Sequence, residues 1–259
     1  MARSELLLHL RTQEPTTNDR GWAEWRVVET EKRVAAEKTA IIICDMWDNH
    51  WARGAAERVD AMAPRMNEVV KAAREKGATI IHAPSDVIEF YADHIARRRI
   101  SGFDPVTPPE SREHADPPLP IDDSDGGSDT GETPWHKAWT RQHPAIEILD
   151  SDYISDRGAE IYSLLRRTNM AQALIMGVHT GMCVLHRSFG IKQMVRWGVP
   201  IALVRDLTDA MYNPARSPYV SHDEGTRLIV EFIEKFWCPT VGSEDVAMRG
   251  LCPDSPPGR

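Results

Sequence analysis

Five residues, Ala40-Ile41-Ile42-Ile43-Cys44, are apolar at every position, and the polar stretch Asp45-Met46-Trp47-Asp48-Asn49-His50 follows at once. A strand with one face in water alternates apolar and polar side chains. A run without alternation is expected to be a parallel strand covered by helices on both faces. The residues that follow fit the covering helix. Asp60 is a candidate cap, Met62, Met66, Val69, Val70 and Ala73 recur at helical spacing, and Gly77 closes the element. Ala78–His82 reads as the next strand. Strand, helix, strand is the unit from which parallel sheets are built.

The alternation returns downstream. Ile146–Leu149 reads as a strand, and Asp156 as the cap of a helix carrying Ile161, Leu164 and Leu165. Ala171–Met176 is expected to be a strand, Thr180–Trp197 one helix, and Val199–Val204 a further strand. Ser221–Phe236 is expected to be a helix, with Leu228, Ile229, Phe232, Ile233 and Phe236 on one stripe. Leu6–Leu10 reads as an edge strand. Five or six strands with intervening helices predict a three-layer α/β sandwich around a mostly parallel, Rossmann-like sheet. One domain is expected to span residues 1–259, with an N-terminal extension over 1–38.

Phe103–Trp135 breaks this pattern. It holds seven prolines, nine acidic residues and one basic residue, for a net charge of −8, the same as the whole 259-residue chain. Composition alone predicts a solvated, partly ordered loop. An EF-hand count from Asp123 puts Pro134 where the bidentate acid belongs, so calcium is not expected there. The acidic balance disfavours nucleic acid and anionic membrane surfaces as partners, and no apolar run reaches bilayer length. Glu5, His9 and Arg11 interrupt the leucine-rich start, which makes it a poor secretory leader. Cys44, Cys183, Cys238 and Cys252 follow neither zinc nor disulfide-scaffold spacing, so a cytoplasmic protein with reduced thiols is expected.

The chemistry is expected at Gly177-Val178-His179-Thr180-Gly181-Met182-Cys183-Val184, where a strand turns into a helix. Ligands of open α/β sheets bind outside the carboxyl ends of the strands. A cysteine in the first turn of a helix lies beside unpaired N–H groups, which favour a thiolate and could hold an oxyanion. Asp45 ends the first parallel strand and would reach the same crevice. Taken one by one, both residues have ordinary readings, a buried cysteine and a turn aspartate.

Together, an Asp at the end of a first strand and the pattern G-V-x-T-x-x-C-V opening a late helix resemble the isochorismatase-like cysteine hydrolases, a group that includes nicotinamidases and N-carbamoylsarcosine amidases. The likeness runs over roughly Thr39–Thr240 outside the acidic insert, and Asp206-Leu207-Thr208-Asp209-Ala210 adds to it. The resemblance implies the isochorismatase-like hydrolase fold and a homo-oligomer. It implies an Asp–Lys–Cys triad in which Asp45 is the base and Cys183 the nucleophile. The Lys position departs from the pattern, with Arg141 the matching residue in chain order and Lys137 the fallback. The resemblance further implies a non-proline cis bond between Val178 and His179, and an oxyanion held by the N–H groups of His179 and Cys183. Trp47, Trp51 and His82 are candidate substrate-binding residues. Nicotinamidases hold a metal through an Asp and histidines after the second strand. Here His82-Ala83-Pro84-Ser85-Asp86 lacks the Asp-x-His spacing, so neither a metal nor another cofactor is expected. The implied activity is hydrolysis of a small amide, ureide or imide C–N bond through an acyl-enzyme. The rivals are vinyl-ether cleavage by acid catalysis from the Asp, and a non-catalytic protein on the same fold.

Overall fold

The computed structural model describes residues 4–133 and 136–247. Cys252, the ends of the N-terminal extension and of the acidic insert, and the chain beyond 247 lie outside the described residues. The first parallel strand, β3 (Thr39–Cys44), is buried at every position. Ala40, Ile42 and Cys44 pack into one apolar cluster, and Ile41 and Ile43 into another on the opposite face. The unalternating run is therefore apolar because both of its faces are covered. Its neighbour β6 (Gln172–Val178) is likewise fully buried and divides its side chains the same way.

Among the described residues, eight strands form one sheet in the order β2-β1-β8-β7-β6-β3-β4-β5. The six strands from β8 (Thr240–Val241) through β7 (Ile201–Asp209), β6, β3 and β4 (Thr79–Ala83) to β5 (Tyr153–Ile154) run parallel. A long antiparallel hairpin, β1 (Glu5–Thr17) and β2 (Ala23–Ala35), joins β8 at one pair. The expected edge strand is thus much longer than Leu6–Leu10, and β2 takes the edge. Helices α1 (Arg53–Glu75) and α7 (Ser243–Ala247) cover one face, contributing Val59, Met66, Val69, Val70 and Val246. The other face is covered by α2 (Ile95–Ser101), α3 (Gly158–Arg167), α4 (Cys183–His186), α5 (Ile191–Arg196) and α6 (His222–Phe236). The architecture is the expected α/β sandwich.

Three local expectations need correction. Helix α1 begins at Arg53, and Asp60 lies within it, accepting from His143 Nε2 at 2.6 Å. Ile146–Leu149 is not a strand, and Ile146 packs beside α1 while β5 forms further on. The helix expected over Thr180–Trp197 is split: Arg187 leaves helical geometry with φ −56 and ψ 155, and α5 restarts after Gly190. A side chain at Gly190 would lie 2.8 Å from the Val184 carbonyl oxygen, so the break needs glycine there.

The acidic insert is solvated only in part: residues 104–118 are largely exposed coil, while 119–130 pack against the domain. Asp116 pairs with Lys192 at 2.6 Å, and the N–H of Asp122 donates to the Ser217 carbonyl at 2.8 Å. Asp125 accepts from Asn213 at 2.9 Å, Asp129 pairs with Arg58 at 2.7 Å, and Thr130 Oγ1 accepts from the Gly54 N–H at 3.1 Å. Its carboxylates neutralise cations of α1, α5 and the loop before α6, so a charge count of the segment misjudges its order.

Candidate active site

Asp45 is the first residue beyond β3 and has a left-handed backbone (φ 47), a conformation that aspartate tolerates better than most residues. Its carboxylate is fully buried. Oδ1 accepts from the Ser85 N–H at 2.7 Å, in the loop after β4, and Oδ2 accepts from Arg187 Nε at 2.9 Å. Both oxygens are therefore fixed. Burial raises the carboxyl above the usual aspartate value, and the charge of Arg187 and the Ser85 N–H act against that rise.

Cys183 reaches the same place from β6. Gly177 has φ 116, and a Cβ there would sit 2.0 Å from the Cys44 carbonyl oxygen. Only glycine lets β6 pass β3 this closely at the site. The Val178–His179 bond is cis, as the resemblance implies. The turn is then pinned to β7: the Thr180 N–H donates to the Asp209 carbonyl at 2.8 Å, and Thr180 Oγ1 meets Thr208 Oγ1 at 2.7 Å. This is the structural role of the Asp206–Ala210 stretch. Cys183 opens α4 with its sulfur facing the Asp45 carboxylate and the backbone N–H of His179. The His179 carbonyl accepts from the N–H groups of Met182 and Val184. Among the described residues the Cys183 N–H has no backbone acceptor.

The thiol is not the resting thiolate that a helix terminus suggests. Burial pushes the Cys183 thiol well up and the Asp45 charge adds to this, while Arg187 pulls the other way. The four-residue α4 is too short to reverse these effects. The arrangement is a protonated thiol beside a buried carboxylate, the pair of groups that general-base catalysis uses.

The basic partner is Arg187. Its guanidinium bonds Asp45 through Nε and Asp86 through a terminal nitrogen at 3.1 Å, and lies 6.0 Å from the Trp47 ring centre. Burial opposes its charge, but Asp45, Cys183 and Asp86 together outweigh burial and hold Arg187 firmly protonated. Arg141 is elsewhere. It is half exposed, 3.9 Å from Asp48, with its guanidinium over the Phe90 ring. Lys137 donates to the Asp86 carbonyl at 2.5 Å and is exposed. The structure brings Asp45 and Cys183 together and brings neither Arg141 nor Lys137 to them. Arg187 lies one helical turn beyond Cys183, a spacing that aligns two side chains when the first turn is helical.

An open cleft of about 600 Å³ is lined by Leu119, Asp123, Gly181, Met182, Cys183, His186 and Arg187. None of the three expected substrate-binding residues lines it. His82 is fully buried, with Nδ1 3.0 Å from Gln142 Oε1 and Nε2 3.2 Å from Asp152, and it holds the sheet end together beneath the site. Trp47 is 5% exposed, donates to the Ser85 carbonyl at 3.1 Å and stacks on Trp139 with ring centres 4.2 Å apart. Cys183 and Trp51 both pack against this aromatic group. Trp47 and Trp51 face a separate, smaller cleft of about 280 Å³ with His50 and Asp60. Among the described residues, no group of three or more His, Cys, Asp or Glu side chains is placed to hold a metal ion. No described helix is long and apolar enough to cross a membrane.

The mostly parallel sheet covered by helices on both faces is a fold that the chain shares with isochorismatase-like hydrolases. A cysteine hydrolase from Pseudomonas syringae pv. phaseolicola 1448A superposes with a TM-score of 0.53 at 15% identity, covering 83% of this chain and 93% of that one. Other structural neighbours are the pyrazinamidase of Pyrococcus horikoshii, solved with zinc (TM-score 0.47, 17% identity, 79% and 99% covered), and N-carbamoylsarcosine amidase from Thermoplasma acidophilum (TM-score 0.42, 13% identity, 80% and 96% covered). No protein-family profile and no curated protein sequence matches the chain.

Proposed function

We propose that the chain is a hydrolase that cleaves a small amide, ureide or imide C–N bond through a thioester to Cys183. The observation that carries this reading is the convergence of the Cys183 sulfur, the buried Asp45 carboxylate and the Arg187 guanidinium at the ends of β3 and β6. Asp45 takes the thiol proton as the sulfur attacks the carbonyl carbon. The resulting oxyanion is held by the N–H groups of Cys183 and His179. The C–N bond breaks as Asp45 returns that proton to the leaving nitrogen. Water then enters, gives a proton to Asp45 and attacks the thioester. The acyl group leaves as the acid, and the thiolate recovers its proton from Asp45. Arginine does not titrate in this range, so Arg187 acts as a fixed charge that keeps Asp45 ionised and aimed.

The test is ammonia release from a panel of small amides and ureides, with Cys183→Ala and Asp45→Asn beside the parent protein. Both variants are expected to fold and to lose turnover. Turnover that survives Cys183→Ala but not Asp45→Asn would instead mark acid cleavage by Asp45. Turnover that survives both would remove the site from the reaction.

A further inference from the structure

The acidic insert runs over the Cys183 cleft, and its aspartates there do different things. Asp122 is committed to Arg216, 2.9 Å away, and to the Ser124 N–H at 3.0 Å. Asp125 accepts from Asn213 at 2.9 Å and from the Gly127 N–H at 3.0 Å. Asp123 is different. Its carbonyl accepts from the Gly126 N–H, which fixes the backbone, but its half-buried carboxylate has no cationic partner among the described residues. Asp123 lines the same cleft as Met182, Cys183 and Arg187.

The other charges of the cleft do not satisfy it. Arg187 is held by Asp45 and Asp86. His186 directs Nδ1 to the Met182 carbonyl at 3.1 Å, and burial keeps it below the usual histidine value, hence neutral near pH 7. Burial also raises Asp123. A half-desolvated carboxylate beside a reaction centre gains most from an incoming cation.

We infer that Asp123 is a specificity residue that receives a positively charged group, an alkylammonium or guanidinium, on the part of the substrate away from the scissile bond. This rests on the hydrolase reading above and names its substrate class: small cationic amides or ureides. The insert then has a role in selection, since it fixes Asp123 over the cleft. Leu119 and Met182 supply the apolar wall for the linking carbons.

The experiment uses charged thiol reagents, so it needs no knowledge of the true substrate. Methanethiosulfonates carrying a trimethylammonium group or a sulfonate react alike: the Cys183 thiolate displaces methanesulfinate and forms a mixed disulfide. Labelling of Cys183, followed by peptide mass spectrometry at low salt, is expected to be at least tenfold faster for the cation than for the anion. Asp123→Asn should shrink that ratio by about tenfold. Asp122→Asn removes the same charge one residue away and should leave the ratio within about twofold. If Asp123→Asn impairs folding, Asp123→Ser is expected to give the same loss of ratio. Equal rates in the parent protein, or a preference that survives both Asp123 variants, would overturn the inference. A failed hydrolase reading is distinguishable, because labelling needs an accessible thiol and no turnover.

Discussion

Asp45 must be ionised to accept a proton, yet it is fully buried, and burial favours its neutral form. Arg187 acts against that effect, so its removal should be visible in a pH profile. Arg187→Gln is expected to lower the rate about 100-fold, the usual scale for loss of one electrostatic stabiliser. It should also move the acid limb of kcat/KM to higher pH, because Asp45 would then hold its proton longer. Arg187→Lys should recover part of the rate and return the limb towards the parent position. Arg141→Ala should change neither by more than a few-fold, since its side chain rests on Asp48. A large loss with Arg141→Ala and a mild one with Arg187→Gln would reverse the assignment. Asp45 and Cys183 are legible in the sequence because each is the polar residue that stops or follows an apolar strand, a local signal. Arg187 is legible only to a reader who asks which residue lies one turn past the nucleophile. The Ser85 N–H and the Trp139 stack are contacts between loops, and no periodicity in one chain announces them.

At the level of elements, β3, β4, β6, β7 and α6 are readable because each is long enough for its burial to imprint a pattern. Two-residue strands such as β5 and β8 and the five-residue α7 carry no period. The insert misleads for a different reason. Proline and carboxylate content predicts solvation, whereas its order comes from cations elsewhere in the chain. Deleting residues 126–131 would remove Asp129 from Arg58 and the Thr130 contact with α1. It would also remove Gly127, whose close approach to Met211 leaves no room for a side chain. Arg58, now about three-quarters buried, would be left with Asp209 as its remaining ion-pair partner. The deletion is expected to lower stability by about 2 kcal/mol or more, in line with breaking a largely buried ion pair. A neutral loop trim would cost under ~1 kcal/mol. Denaturant midpoints at constant m-value separate the two outcomes. Asp129→Ala should reproduce a large share of the loss, and an unchanged midpoint in both variants would return the insert to the solvated class.

For the whole molecule, the pH dependence of stability should have an acid side that begins unusually early. His179 is buried beside His50, with ring centres 4.9 Å apart. Burial pushes His179 down to about 3 and His50 down to about 4, so both stay neutral in the folded protein. In the unfolded chain each titrates near 6.5. As pH falls below that value the unfolded state binds more protons than the folded one, and stability falls with pH. The contribution of these two histidines is therefore fully present above about pH 6.5 and is lost towards pH 4. Carboxylates held low by partners, such as Asp152 and Asp209, act in a separate window, because their contribution is lost only below the ordinary carboxylate range. Asp45 has the opposite sign, since its raised pKa lets the folded state take a proton first and softens the decline as pH falls. His222 is raised through Asp209 despite burial, and its contribution is lost as pH rises through its folded value. Between pH 6.5 and 5 the buried histidine pair should dominate. One fully shifted histidine corresponds to about 1.4 kcal/mol per pH unit, so His179 alone is worth about 2 kcal/mol across that interval. In a chain of this size this corresponds to a fall in Tm of roughly 4–8 °C. Thermal unfolding at pH 7, 6 and 5 should show that fall in the parent protein and a clearly shallower one in His179→Gln. Parallel slopes in the two proteins would mean that His179 is not held neutral by burial.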